Sequence, residues 1–387
     1  MKPVFRVLLI LLIAILGALP IVGPQLAERT QNSTYIQPPY APSTIAKDLH
    51  QKLTVVDLHA DSLLWKRDLM KTESYGHVDV PRLLRGNVAL QAFTVVTKTP
   101  LGLNIERNSD KTDAITFLCM AQLWPFRTWT SLKERALYQA AKLHKYSETS
   151  SGKFSLILTA SNLTAYLEHR KIEPDTTAGF LGLEGAHALE GNLKNVDAFY
   201  EAGFRMVAPT HFFDNELGGS AHGLVKGGLT PFGKQVIRRL EERHMIVDLA
   251  HASPRMIEDV LAIASRPVVV SHTGLKGGCN NIRNLSDAQA KAIATKGGLI
   301  GIGFWQTAVC GQNVQAITKS IRYATNLVGI EHVALGSDFD GAVTVPFDSS
   351  GMALLTEALI QEGFSDDEIG KIMGGNAIRF LSQNFPQ

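Results

Sequence analysis

His59 and Asp61 stand two residues apart at the end of the apolar run TVVDLHADS, and this pair opens the chemistry of the chain. On a β-strand, residues i and i+2 share a face, so an imidazole and a carboxylate project together. Those donor types make half of a divalent-metal site. Four more apolar runs deliver a coordinating residue as they finish. GFLGLEGAH gives Glu184, MIVDLAHAS gives His251, PVVVSHTG gives His272 and HVALGSDFDG gives Asp338. His251 and His272 end successive runs and could hold a second ion. Glu184 has the charge and reach to bridge two ions, and an anionic bridge offsets their repulsion at a separation of about 3.5–4 Å. Taken singly, each residue reads more simply as structural: a hydrogen-bonded His, a Glu paired with an Arg, an Asp capping a helix. Five at corresponding places make one site assembled from many strand ends.

The elements that must position these groups are legible as eight short runs rich in Val, Ile and Leu. They are TVVDLHA, NVALQAFTVV, GFLGLEG, FRMVAPTH, MIVDLAH, PVVVSHT, LIGIGFW and HVALGSDF. Such continuous apolar character suits strands buried on both faces. Helix-like segments separate them, among them 228–244 and 253–265, the latter opening with Ser253 as a cap and Pro254 at the first helical position. Eightfold alternation predicts an α/β fold, a (β/α)8 TIM-type barrel, whose reactive groups gather at the C-terminal ends of the strands. The stretch 97–153 reads as an insertion between the second and third strands, with LKERALYQAAKLHKYS as its clearest helix. FSLILTA, 154–160, reads as a further strand outside the barrel.

The 387 residues exceed the usual single domain, yet a barrel with insertions reaches this length. With 38 basic and 36 acidic residues and no basic stripe, nucleic acid is excluded as a partner. Residues 7–23, VLLILLIAILGALPIVG, carry no charge and follow Lys2 and Arg6. At 17 residues the run sits at the short edge of a bilayer span. Two readings stay open: residues 1–27 are a signal peptide removed on export, or the run is a retained single-span anchor. Leu16 and Gln25 occupy the −3 positions for cleavage after Ala18 or Ala27, so neither candidate has a clean small-x-small pattern. Either way the remainder is expected to be exported, in a periplasmic or other extracytoplasmic space. Residues 28–50, polar and rich in proline, read as a linker into a catalytic domain spanning 51–387. Of the three cysteines, Cys279 and Cys310 fall in loops after neighbouring strands and are the expected disulfide; the alternative is three unpaired thiols.

With these motifs in place, the chain resembles the membrane (renal) dipeptidase family of zinc metallopeptidases, among the amidohydrolase-like barrels. The resemblance runs from about residue 50 to the C-terminus. It is carried by D-x-H-x-D at 57–61, LEGAH at 183–187, DLAHAS followed by VVVSHTG, IRN at 282–284 and SDFDG at 337–341. His272 follows His251 by 21 residues, and Arg283 follows His272 by 11. The His-x-Asp opening, in place of His-x-His, favours this family over its lactonase and phosphotriesterase relatives.

The resemblance implies two zinc ions per chain, one on His59 and Asp61, the other on His251 and His272, with Glu184 between them. It implies hydrolysis of the amide bond of dipeptides by a metal-bridging hydroxide, with Asp338 as proton shuttle. His211 would contact the substrate carbonyl and the developing oxyanion, and Arg283 would hold a C-terminal carboxylate through a bidentate fork. A homodimer is implied as well. One departure bears on substrate preference: FWQTAVC (304–310) lacks a tyrosine, and Trp305 offers only an indole N–H. The same hydroxide chemistry would serve lactones, cyclic amides or β-lactams, the alternative substrate class. A non-catalytic scaffold with a structural metal would not need Asp338, His211 and Arg283 beyond the ligands. His50, His77, His144, His169, His222, His244 and His332 read as structural, and His187, close to Glu184, falls outside the periodic set. The insertion and the glycine-rich loop 212–228 are expected to shape the mouth of the site.

Overall fold

Eight strands form at the predicted runs: β1 (Val55–Ala60), β2 (Val88–Val96), β3 (Thr177–Glu184), β4 (Phe204–Ala208), β5 (Ile246–Val247), β6 (Val269–Thr273), β7 (Leu299–Ile302) and β8 (Val333–Leu335). This computed structural model describes residues 22–387; residues 1–21, which hold nearly all of the apolar run, lie outside the described residues. All neighbouring strands are parallel, in the order β5-β4-β3-β2-β1-β8-β7-β6. The remaining gap is closed by a parallel bridge between Asp248 and Val269, where Leu249 N–H donates to Val269 O at 2.8 Å. Spatial order therefore follows chain order around a closed (β/α)8 barrel, as the alternation predicts.

One apolar cluster takes a residue from every strand, including Val56, Leu90, Phe180, Met206, Ile246, Val269, Leu299 and Ala334. Only a barrel interior can draw on all eight strands at once. Its lower end is plugged by the helices Ala160–Ile172 and Asn376–Asn384, with Phe385 edge-on to Phe180 at 5.2 Å. The apolar plug leaves the upper, C-terminal end for polar groups. The larger cluster lies between the strands and the surrounding helices.

Helix starts obey local rules. Ser253 caps Pro254–Ile263 through Met256 N–H, with proline at the first helical position. Thr230 does the same for Pro231–Glu242. The insertion after β2 folds as the helices Ala114–Ala121 and Leu132–Thr149. Phe154–Leu156 pairs with the start of β3, off the barrel path, as expected.

The segment 28–50 is not a free linker. Glu28 is buried and paired with Arg67, which also binds Asp340. Ser33–Thr34 forms a parallel pair with Thr344–Val345, and the helix Thr44–His50 packs on Met352–Gln361. Polar and proline-rich composition misleads here because the polar groups are spent on ion pairs and hydrogen bonds to the barrel. Among the described residues, no helix is long and apolar enough to cross a membrane.

Candidate active site

The upper rim of the barrel collects the residues singled out from the sequence. His59 is the penultimate residue of β1, Glu184 ends β3 and His272 lies in β6. Asp61, His211, His251 and Asp338 follow β1, β4, β5 and β8, while Arg283 sits in the loop after β6. His251 and Asp338 adopt left-handed backbone, φ 62° and 63°, a conformation costing about 1–3 kcal/mol in residues with a Cβ. In return both side chains join the rim cluster. Gly301 and Gly336 let β7 and β8 press against β6: a Cβ on either would meet Ser271 O at 2.1 and 1.8 Å.

Glu184 is the hub. Its Oε1 lies 3.4 Å from His59 Nε2, 3.0 Å from His251 Nε2 and 3.4 Å from His272 Nε2. Its Oε2 lies 3.4 Å from His211 Nε2. His59 Nε2 is 3.6 Å from Asp61 Oδ1 and 3.9 Å from Asp338 Oδ1, and the Nε2 atoms of His251 and His272 face each other at 3.0 Å. Three sets of donor atoms are close enough to share an ion: His59, Glu184 and His272; Glu184, His211 and His251; His59, Asp61 and Asp338. His211, read from the sequence as a substrate contact, and Asp338, read as a shuttle, thus also lie within ligand distance.

The surroundings hold these groups in place. Thr94 Oγ1 donates to Asp61 Oδ1 at 2.6 Å. Ser271 Oγ lies 3.1 Å from His59 Nδ1 and 2.9 Å from His272 Nδ1. Asp57 accepts from Ser337 N and Oγ, both at 2.7 Å, and from Gln91 Nε2 at 2.7 Å, tying β1 to β8 and β2 directly below the site. Arg283 donates from Nη2 to His272 O at 2.7 Å. Cys279 and Cys310 are disulfide-bonded, with Cα atoms 5.3 Å apart, fastening the loop that carries Arg283 to the one after β7; Cys119 is free and buried.

Electrostatically the protein groups alone are out of balance. Burial opposes protonation of His59, yet Glu184 and Asp61 outweigh it and hold its pKa well above the ordinary value. Burial and the neighbouring Asp61 push Glu184 up to about 7, partly offset by His59. Burial, with Asp61 and Glu184, raises Asp338 well above the carboxylate range against the pull of His59 and Arg283. Burial lowers His211, His251 and His272, helped by neighbouring positive groups. His59 Nε2 and Glu184 Oε2 are buried without a hydrogen-bond partner among the described residues. Converging lone pairs, crowded carboxylates and orphaned donor atoms fit a divalent cation of the kind His, Asp and Glu bind.

A cavity of about 700 Å³ opens above the hub, walled by Asp61, Glu184, His211, His251, Arg283 and Asp338 on its floor. Trp305, Phe212, His222, the insertion and the helical segment 22–31 complete it. The reading of His222 as merely structural misses this place. It is fully buried, its Nδ1 is 2.5 Å from Ile105 O, and its Nε2 has no partner among the described residues. A carbonyl only accepts, so Nδ1 carries the proton and Nε2 presents a lone pair. Other histidines do fit the structural reading. His50 bonds Thr356 and Gly86, His144 bonds Ala202 O, His332 bonds Gly298 O, and His187 bonds Thr97 Oγ1.

A closed parallel barrel with a His/Asp/Glu cluster on its C-terminal rim defines a metal-dependent hydrolase-type centre. The sequence model of the membrane dipeptidase family, peptidase family M19, matches residues 44–385. The chain belongs to that family and is a metallo-dipeptidase. It is 28% identical over 317 residues to dipeptidase tcpJ of Claviceps purpurea, spanning 80% of this chain and 69% of that protein. It is 29% identical over 265 residues to an uncharacterized protein in the pqqA 5' region of Klebsiella pneumoniae, spanning 64% and 96%. Among solved structures, a metallopeptidase from Rhodobacter sphaeroides, bound to a phosphinate mimic of the dipeptide L-Ala-D-Ala, superposes with a TM-score of 0.70. It shares 21% identity over 86% of this chain and 99% of that one. A dipeptidase of family M19 gives a TM-score of 0.71 at 22% identity, covering 87% and 99%.

Proposed function

We propose that the protein is an exported dizinc dipeptidase that cleaves the single amide bond of dipeptides bearing a free C-terminal carboxylate. The observation that carries this reading is Glu184, whose Oε1 is shared by histidines from β1, β6 and the loop after β5 at 3.0–3.4 Å. His59 and Asp61 would hold one zinc and His251 and His272 the other, with Glu184 common to both. When bound, the ions would supply Lewis acidity at the amide carbonyl and lower the pKa of a water to about 7.

The chain's own residues supply the rest. Asp338, on the cavity wall beside His59, takes the proton of the attacking water and delivers it to the leaving amine. His211, at the opposite side of Glu184, hydrogen-bonds the carbonyl oxygen as charge develops there. Arg283 fixes the substrate's carboxylate, which makes recognition exopeptidase-like because a longer peptide has no carboxylate at that distance. Trp305, 5.6 Å from the Arg283 guanidinium, replaces a hydroxyl with an indole N–H and an apolar face. The run 7–23 directs export, either as a signal removed afterwards or as a retained anchor, and the enzyme works as a homodimer.

Purified full-length protein is assayed for metal content and for cleavage of L,L and L,D dipeptides, tripeptides and amidated dipeptides. Two zinc ions with chelator-sensitive cleavage restricted to dipeptides supports the reading. Two bound ions without dipeptide cleavage moves the assignment to lactones, cyclic amides or β-lactams.

A further inference from the structure

We propose that the helical segment 22–31 is a wall of the active site that sets substrate preference. Ala27 limits the pocket for the side chain of the substrate's N-terminal residue, and Glu28 latches the wall to the loop that carries Asp338. The proposal rests on the dipeptidase reading, with Arg283 as the seat of the C-terminal carboxylate, and assigns the other half of the substrate.

The segment precedes residue 44, where the match to the family begins, so the shared barrel does not account for it. Gly23, Ala27 and Gln31, spaced by four on one helical face, line the same cavity as Asp61 and Asp338. Pro24 and Glu28 are buried. Small residues at 23 and 27 leave the cavity open on this side, and a large side chain at either would enter it.

The wall is held in place by its own contacts. Glu28 is 1% exposed and pairs with Arg67, whose buried guanidinium also binds Asp340, two residues after Asp338. Trp65, which walls the cavity beside Leu64, donates from Nε1 to Asp340 O at 2.7 Å. Below the helix, Asn32 Oδ1 accepts from Ala342 N and Tyr35 N donates to Val345 O, both at 2.9 Å. Lys142 of the insertion fastens the same region, donating to Leu63 O and Trp65 O at 2.6 and 2.7 Å. Removing the Glu28 carboxylate leaves the Arg67 charge buried with one partner fewer and unfastens the helix.

Topology places this wall on the N-terminal side of the substrate. Arg283 follows β6, and Glu184 gathers histidines from β1, β5 and β6, so the scissile amide lies over the middle of the rim. The cavity-lining residues Leu103, Ile115 and Phe117 follow β2, four strands from β6 and hence across an eight-stranded barrel. The segment 22–31 stands beside them, leaning on the loops after β1 and β8. A dipeptide with its carboxylate on Arg283 and its amide over Glu184 therefore points its first residue into this apolar chamber. The cavity of about 700 Å³ falls in the range of about 300–1,000 Å³ that encloses ligands larger than the smallest dipeptides.

The test compares the full-length, metal-loaded protein with its Ala27→Trp variant. kcat/KM is measured for Gly-Ala, Leu-Ala and Trp-Ala, and for Ala-Leu and Ala-Trp, in which the large residue is C-terminal. The expected result is a fall of roughly tenfold or more in the ratio of Trp-Ala to Gly-Ala, an intermediate fall for Leu-Ala, and a much smaller one for Ala-Trp. In a Glu28→Ala background with metal content intact, the wall is unlatched, and the same substitution should move that ratio by less than about threefold. An equal loss on all five substrates, or none on any, overturns the pocket assignment and leaves the dipeptidase reading standing. A loss confined to Ala-Leu and Ala-Trp also overturns it, by placing the wall on the C-terminal side. A full shift that persists in the Glu28→Ala background overturns the latch. An exported form that begins after residue 27 lacks the wall and overturns the proposal outright. Wild-type protein that leaves all five dipeptides intact at full metal content overturns the dipeptidase reading, and the pocket with it.

Discussion

Arg283→Ala should separate substrates by a single functional group. The guanidinium is buried at the cavity wall, where Nη2 is committed to His272 O at 2.7 Å. Among the described residues its other guanidinium N–H groups have no hydrogen-bond partner, leaving an edge for a carboxylate. Two charge-assisted bonds at about 1.5–3 kcal/mol each set a ceiling near 6 kcal/mol. Truncating one member of a buried charge pair costs about 2–5 kcal/mol in measured cases. A loss of about 3–4 kcal/mol is therefore expected, which is roughly 150- to 900-fold in kcat/KM at 1.36 kcal/mol per decade. The same variant acting on a dipeptide amide, which presents no carboxylate, should lose about tenfold or less. The assay is kcat/KM for the two substrates, wild type against variant, with metal content measured on each preparation because the His272 contact is also lost. An equal loss on both substrates at unchanged metal content would refute the carboxylate clamp and assign Arg283 to the electrostatics of Glu184 and Asp338.

Asp338→Asn should lower kcat by about 10²–10⁴, the usual worth of a positioned acid–base group, while metal content holds near two ions; loss of one ion would make Asp338 a ligand, which its place beside His59 and Asp61 also permits. Replacing His222 with Phe should cost one neutral hydrogen bond to substrate, a change of roughly tenfold or less in kcat/KM, without metal loss; a fall in metal content would show instead that the ring serves by packing on His251. Metal affinity should rise with pH through about 7, because burial beside Asp61 pushes Glu184 up to about 7 in the metal-free protein, Glu184 and Asp61 hold His59 well above its ordinary value, and both protons must leave when an ion binds. Chelator competition between about pH 6 and pH 8 reads this, and an affinity that is flat or falls with pH contradicts it. Cys279→Ser with Cys310→Ser should lower stability by about 3–4 kcal/mol from the entropy of a loop with a sequence separation of 31, read by denaturant unfolding under non-reducing conditions.

The barrel was legible because its strands are buried on both faces, so each reads as an unbroken apolar run that ends where the rim turns polar. Even β5, reduced to Ile246–Val247, was visible through the apolar character of MIVDLAH, although Asp248 closes the ring only through an isolated bridge. The metal-type residues were legible for the same reason: His59, Glu184 and His272 lie inside strands whose limits the pattern marks. Contacts that depend on three-dimensional neighbours were not. His222 sits in a glycine-rich loop with no periodicity, and only folding brings its ring against Phe212 and His251. The segment 28–50 has the composition of a linker, and nothing local announces that Glu28 meets Arg67 or that Asn32 Oδ1 accepts from Ala342 N at 2.9 Å. Asp57 stood inside a recognisable motif, but its partners, Ser337 and Gln91, come from strands far along the chain.

The least visible of these contacts has the largest consequence for how the site works. Ser271 Oγ stands between Nδ1 of His59 and Nδ1 of His272, residues from strands β1 and β6 that would serve different ions. A hydroxyl oxygen has two lone pairs and can accept from both rings at once. When it does, both imidazoles keep a proton on Nδ1, and once His59 gives up its second proton to an incoming cation both Nε2 atoms, each 3.4 Å from Glu184 Oε1, have lone pairs free for that cation. Ser271 is itself fixed, since its N–H donates to Asp248 Oδ1 at 2.9 Å, the residue that closes the barrel. A single side chain would thereby set the tautomer of one ligand in each half of the proposed centre. Glycines at 301 and 336 leave room for the backbone of the same residue, since a Cβ at either would meet Ser271 O at 2.1 and 1.8 Å. Ser271 therefore belongs to the chemistry of the site as well as to the closure of the barrel.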